Sequence, residues 1–456
     1  MSDLSRRTAA ATSVAALGLL CTLSVRAAPI KPVEFSDTRL ANGLRVIVAE
    51  DHAAPVFAIV LTYNVGSRDE RKGRTGFAHL FEHMMFKGSE NVGPGEHPYL
   101  MFMYGGNMNG TTNKERTLYY EVLPANQLDL ALFLEADRMR SLVITREALE
   151  NQVNAVQEER RLRVDNQPYG RTFEALDELA YDNPAYEHSV IGSMQDLSAA
   201  TVEDVAAFFK TYYAPNNTVL TIVGDVNTRT ALDKVRKYFE AIPSQPAPPA
   251  VDVTEPAQSA ERRTTVNDAL ARLGRIDIAY KVPSSAHADS DALDVLTTLL
   301  SSGRSSRFYE VIVRQKQLSS GGLSAYTEAS RGPGLLRVVG TVAPGKTLPD
   351  LESAIDAEIE RVKTGAIEEW EMEKARNGVR SEVIAGLGSS LQRAVQLGEY
   401  ALFYDKPAKI NMRAEEIAKV SAADVQRVAR TYLVKSGRTV VHTVPQPAAP
   451  PKGGER

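Results

Sequence analysis

The chain has 456 residues, 43% of them hydrophobic and 24% charged, with a formal net charge of −4. That length exceeds one ordinary domain and predicts two or three, with the composition of a soluble globular protein. The near-neutral balance and the lack of a polybasic run argue against nucleic-acid binding and against a role at a membrane surface.

Residues 1–28 read as a secretory signal. Arg6-Arg7 precede an apolar run from Thr8 to Val25, and Ala27-Ala28 follow it. A transmembrane anchor is the competing reading, but the run is alanine-rich and close to the short limit for spanning a bilayer. Ser5-Arg6-Arg7 resembles a twin-arginine signal only faintly. Cys21 is the only cysteine, and Gly18-Leu19-Leu20 before it lacks the small residue of a lipoprotein signal. A cleaved chain would hold no cysteine and no disulfide. The expectation is an exported, periplasmic bacterial protein without stable membrane insertion after cleavage.

His79-Leu80-Phe81-Glu82-His83 carries the chemistry. On a helix each residue advances by about 100°, so His79, Glu82 and His83 share one face. Imidazoles at i and i+4 can grip one Zn²⁺, and the carboxylate between them lies beside the water such a metal activates. The order is H-x-x-E-H, the inverse of the commoner H-E-x-x-H. With seven histidines in the chain, a chance match is expected in roughly one such sequence in a hundred. Leu80, Phe81, Met84 and Met85 make the segment apolar apart from the three candidates, which predicts a buried site. Lys87-Gly88 reads as the helix stop. His97, in Gly95-Glu96-His97-Pro98, and His188, in Tyr186-Glu187-His188-Ser189, read as loop residues at the surface.

A catalytic zinc takes three protein ligands and keeps one position open. The third is sought in Arg146–Arg161, where Leu149, Val153 and Val156 form an apolar stripe at helical spacing. With Leu149 at the origin, Glu158 falls at about 180° and Glu159 at about 280°. Glu159, at the stripe's edge, is the expected ligand, and Glu158 the alternative. Arg160 would then project from the stripe, so a bend or a cover is needed there.

Residues 243–262 form a proline-rich linker, and the tail 446–456 is rich in proline, glycine and charge. The expected division is a signal (1–28), a zinc-bearing domain (29–242), the linker, a second domain (263–445) and the tail. The two halves read as diverged repeats. Val202–Tyr212 matches Ala422–Tyr432 at an offset of 220, and an apolar strand follows each. Aligning Gly88 with Gly303 places Asp294, Thr297 and Thr298 opposite His79, Glu82 and His83, so the second half would keep the helix without a metal site. Each half runs strands, then helices, then a helix–strand pair, which is α+β.

The chain resembles the pitrilysin–insulysin–mitochondrial processing peptidase family. The resemblance rests on the inverted motif, on Leu40–Val46, on Val65–Glu70 with Gly76–Ala78, on Gly105–Thr112 with Thr117–Tyr120, and on Asp165–Gly170. Family members place a glutamate ligand about 76 positions after the second histidine, which is Glu159 here. The resemblance implies two homologous repeats, each a mostly antiparallel sheet with helices packed on one face. It implies one Zn²⁺ per chain on His79, His83 and Glu159, with Glu82 as general base, then acid, in peptide hydrolysis. It points to Asn109-Gly110-Thr111-Thr112 as an edge strand that takes substrate as an added strand; an ordinary polar edge is the competing reading. Two positions depart from the pattern. Gln152 stands where many relatives have an acid, and Gly110 where they often have alanine. Arg304–Tyr309 could meet a substrate carboxylate or carbonyl, against the reading of a solvated basic face.

The function expected is a zinc endopeptidase acting on peptides or unfolded segments. Bacterial relatives of this size often work in pairs, so a dimer is expected, with itself or with a non-catalytic sibling. Gln315–Leu323 lacks the Arg-Gly-Leu-Ala-Tyr-type segment such a sibling would carry. This marks the chain as the zinc-bearing partner. The third reading is a non-catalytic structural or binding member of the family.

Overall fold

The structure, a computed structural model, describes residues 31–446. The signal 1–28 and nearly all of the tail lie outside them. Two sheets organise these residues. The first holds β1 (Ser36–Arg39), β2 (Arg45–Glu50), β3 (Val56–Tyr63), β4 (Asn107–Thr112), β5 (Thr117–Pro124) and β6 (Thr218–Gly224), in the order β1-β2-β6-β3-β5-β4. The second holds β7 (Arg262–Asp268), β8 (Arg275–Val282), β9 (Ser319–Thr327), β10 (Gly334–Val342) and β11 (Arg438–Pro445), in the order β7-β11-β8-β10-β9.

The two orders are one topology. In each sheet a single parallel pair, β2 with β6 and β7 with β11, adjoins an antiparallel run. Strand β1 is an addition to the first. The helices repeat at the offset of 220 as well: Val202–Tyr212 and Ala422–Tyr432 superpose in sequence residue for residue. Thr201 and Ser421 cap them in the same way, accepting from the backbone N–H three residues on. The fold is α+β with two homologous repeats.

Each half's own helices cover one face of its sheet. The opposite face is covered by a helix lent by the other half. Ser390–Tyr404, from the second half, lays Ala394, Leu397 and Ala401 on Ile47, Ala58, Val60 and Val223 of the first sheet. Gly170–Ala180, its counterpart at the offset of 220, lays Leu176 and Ala180 on Ala279, Leu335 and Val441 of the second sheet. Being covered on both faces explains why β6 is an unbroken buried run rather than an alternating one. From Val33 on, the described residues therefore behave as one compact unit.

Between Pro243 and Glu261 there is no helix or strand. The segment is docked nonetheless. The Asn183 side-chain amide donates to the carbonyls of Asp252 and Thr254, and Glu255 pairs with Lys281 at 2.5 Å.

Candidate metal centre

The motif lies on the helix Phe77–Met84. No side chain caps its start, because Gly76 occupies that place with φ 86°. Glu70 does the capping from a distance, accepting from the backbone N–H of Gly76 at 2.8 Å and of Ala78 at 2.7 Å. A buried carboxylate there satisfies donors the helix leaves open and favours its dipole. His188 completes the arrangement. Its Nε2 lies 3.0 Å from Glu70 and its Nδ1 2.8 Å from the Pro184 carbonyl. Gly76 also presses against Gly192: a Cβ on either would come within 2.6 Å of the other segment's backbone. Only glycines permit that crossing.

The helix Arg146–Arg160 supplies the third donor. Thr145 caps it, and Leu149, Gln152 and Val156 form its buried side. It runs into a wider π-helical turn, Arg161–Asp165, a feature that often marks functional sites. Arg160 is covered by Glu174, at 2.6 and 2.9 Å, and by the Gly192 carbonyl. Glu158 turns outward to Arg161. Glu159 turns inward, its Oε2 lying 3.3 Å from His83 Nε2 and 3.7 Å from His79 Nε2. Arg163 holds the other carboxylate oxygen at 2.8 Å.

His79, His83 and Glu159 each bring one ligand atom within 4.8 Å of the others. A tetrahedral zinc with bonds of about 2.0–2.2 Å separates its ligands by roughly 3.3–3.6 Å; the Glu159–His83 contact at 3.3 Å falls in that range and the Glu159–His79 contact at 3.7 Å lies just above it. The protonation state fits too. Burial, aided by His83 and Arg163, pushes His79 down to about 3, and burial lowers His83 against the pull of Glu159. Both imidazoles are held neutral, the form that binds a metal. Gln152, buried on the same helix as Glu159, pulls the other way and favours the protonated form of His83.

Glu82 shares the face of the two histidines but is not one of the three donors. Its Oε2 accepts from the Thr112 hydroxyl at 2.6 Å. Burial, and Glu159 nearby, raise its pKa, while Thr112 opposes the shift. Thr112 ends β4, the outermost strand of the first sheet. Asn109, Gly110 and Thr111 lie on the same edge, so the four residues named from the sequence as substrate contacts are grouped beside the motif. Gly110 fits closely: a Cβ there would lie 2.8 Å from Glu82 Cγ. Arg163, the partner of Glu159, carries no signal in the sequence beyond its polarity, and Thr112 is expected from the sequence at the substrate edge but not as the partner of Glu82.

Two expectations need correction. His97 is not in a surface loop. It lies on the helix Glu96–Met103 and is 4% exposed, 2.5 Å from Glu121 on β5. Glu135 and Arg138, on the helix Leu128–Ser141, complete a buried cluster with it. His188 is likewise no free surface residue, because it holds Glu70. In the second half, Asp294, Thr297 and Thr298 line a cavity of about 650 Å³ under the edge strand β9. The Thr327 hydroxyl there bonds Asp294 at 2.5 Å, and Arg413 pairs with the same carboxylate at 2.6 Å.

The family model described as insulinase (peptidase family M16) matches residues 45–193, and that described as the peptidase M16 inactive domain matches 199–379. A Helicobacter pylori protein named zinc protease PqqE is 31% identical over 94% of this chain and 97% of its own. A probable mitochondrial-processing peptidase subunit beta from Arabidopsis thaliana is 24% identical, covering 87% of this chain and 76% of that one. The crystal structure of a protease from Helicobacter pylori superposes with a TM-score of 0.86 at 29% identity, over 91% of this chain and all of that one. Relatives that carry the name zinc protease thus share nearly the full length, and the chain belongs to the insulinase family, peptidase family M16.

Proposed function

We propose that the chain is a zinc-dependent endopeptidase, exported to the periplasm, that hydrolyses peptides or unfolded polypeptide segments. The observation that carries the reading is the convergence of His79, His83 and Glu159 on one point, with Glu82 beside it outside the donor set. His79, His83 and Glu159 would hold the metal. When bound, zinc supplies Lewis-acid chemistry, polarising a peptide carbonyl and making water acidic enough to attack near neutral pH.

The chain's own residues do the rest. Glu82 takes the proton of the attacking water and delivers it to the leaving amine. Thr112 holds one oxygen of that carboxylate and so fixes its orientation. The open edge of β4 offers backbone groups to an extended peptide, laying it across the motif as an added strand. Arg163 keeps Glu159 from swinging away.

Glu82→Gln keeps the shape and removes the base. Turnover should fall by about 10²–10⁴ while zinc binds as before, measured by peptide hydrolysis and metal analysis on one preparation. Undiminished turnover would end the assignment of Glu82. A second reading, a zinc-bearing subunit that needs a sibling chain, is favoured by the Gln315–Leu323 segment, which lacks the arginine and tyrosine expected of the sibling.

A further inference from the structure

The tips of the two equivalent hairpins meet. In the first half the tip is Asn113–Arg116, between β4 and β5; in the second it is Glu328–Pro333, between β9 and β10. Glu115, 1% exposed, is the centre of the junction. It accepts from Arg331 Nε at 3.0 Å, from the Arg331 backbone N–H and the Ser330 hydroxyl at 3.1 Å, and from the Tyr186 hydroxyl at 2.8 Å. Arg68 pairs with it from the other side at 3.1 Å. The Arg331 guanidinium also donates to the Glu115 backbone carbonyl and to Asn64 Oδ1, both at 2.7 Å.

The next residue is gripped with the opposite polarity. Arg116 Nε donates to Glu399 Oε1 at 3.0 Å, and Glu399 lies on the lent helix Ser390–Tyr404. The same guanidinium, through Nη1, donates to the Thr111 carbonyl at 2.9 Å and to its hydroxyl at 2.7 Å. Phe403, one turn on, lies under Arg331 with the guanidinium 5.3 Å from the ring centre. Two consecutive tip residues are thus fixed by second-half side chains. The strand they terminate carries Thr111, whose carbonyl Arg116 holds, and Thr112, whose hydroxyl holds Glu82.

We propose that Glu399 and Arg331 are positioning residues for the reaction at Glu82, acting through Arg116 and Glu115 to set the end of the substrate edge. The inference rests on the peptidase reading. It gives the second half a task in the first half's chemistry. Glu399 is the better probe, being partly solvent-accessible, whereas Arg331 is woven into the junction and its loss threatens folding. A hydrogen-bonded edge strand exchanges its amide hydrogens according to how firmly it is held.

The test compares the full chain with Glu399→Ala and with Glu399→Gln, whose amide still accepts from Arg116. In Glu399→Ala, exchange of the β4 amides should speed by about tenfold while β3 amides do not change, and kcat/KM on an extended peptide should fall by about tenfold, with zinc content intact. Glu399→Gln should recover most of both. Unchanged exchange in β4, or an equal rise across both sheets, overturns the proposal. A wild-type chain that cleaves nothing overturns the peptidase reading instead, and the exchange comparison still decides the positioning.

Discussion

The Thr112 hydroxyl and the Glu82 carboxylate, 30 residues apart in sequence, meet at 2.6 Å. The contact joins the strand that would receive substrate to the group that would move the proton. A hydrogen bond to a charged group is worth about 1.5–3 kcal/mol. Thr112→Val keeps the shape and removes the donor. It should cost roughly tenfold to a hundredfold in kcat and leave zinc affinity as it was, measured by steady-state hydrolysis beside competition with a chelator. A kcat equal to the wild type would show that the hydroxyl does not orient Glu82.

Gly110 gives a second, steric handle on the same carboxylate. A methyl group at this position would meet Glu82 Cγ at 2.8 Å and Oε1 at 3.1 Å. Gly110→Ala must displace Glu82 or the strand, and a small misplacement of a catalytic group can cost about a hundredfold. The family pattern often has alanine here, so the expected outcome is a loss of kcat smaller than that of Glu82→Gln, with the melting temperature nearly unchanged, because the strand is an edge. Activity within twofold of the wild type would mean that Glu82 moves aside at no cost.

Glu158 and Glu159 are chemically alike and adjacent, yet only one faces the histidines. Glu159→Gln should weaken zinc binding by more than about a hundredfold, since even loss of an outer partner costs 10–100-fold. Glu158→Gln should leave it unchanged, and Arg163→Ala should fall between. Isothermal titration of metal into the chelated protein distinguishes the three. An effect of Glu158→Gln matching that of Glu159→Gln would remove Glu159 from the ligand set.

Much of this site was legible from the residues. The spacing of His79, Glu82 and His83 requires a helix to be useful, and the segment's apolar flanks provide one. Glu159 followed from the angle it makes with Leu149 and Val156. The offset of 220 foretold a repeated topology. What stayed hidden depends on long-range contact. His97 is followed by Pro98, a pairing that reads as a loop, but Pro98 sits in the first helical turn, where its missing N–H costs nothing. Its burial comes from Glu121 and from a helix more than thirty residues on. The helices Gly170–Ala180 and Ser390–Tyr404 announce an apolar face, yet nothing local says that each serves the other half's sheet.

The His97 cluster makes stability depend on pH. Glu121 and Glu135 share a fully buried site with one guanidinium, Arg138, and with neutral His97. Burial raises both carboxyls to about 7 against the pull of Arg138, while burial holds His97 near 3. An unfolded chain releases these protons near pH 4.5, so the folded chain binds more protons between about 4.5 and 7. The two carboxyls' contribution to stability is therefore fully present below that window and is lost as pH rises through about 7, while His97, held neutral by burial, works in the opposite sense between about 3 and 6.5. Glu121→Gln mimics the protonated acid. Its melting temperature should fall less between pH 5 and pH 8 than that of the wild type. Parallel melting curves for the two proteins would show that Glu121 is ionised throughout.

The lent helices predict a shared unfolding transition. Leu397 is fully buried against β3 and β6 although it belongs to the second half. Its neighbour Gly398 lies so close to the sheet that a Cβ would reach the Thr62 hydroxyl at 2.7 Å. Leu397→Ala removes apolar volume at a site the sheet cannot easily close over, which costs about 2–5 kcal/mol. Were the halves independent, that loss would destabilise one of them and split the melting curve. Because each sheet's second face is covered from the other half, the loss should lower one melting transition for the whole chain. Far-ultraviolet and near-ultraviolet circular dichroism should report the same midpoint. By the same argument, a fragment ending at residue 242 would leave Ile47, Ala58, Val60 and Val223 uncovered and should associate or precipitate rather than fold alone. A soluble, cooperatively melting fragment would show that the first half needs no cover.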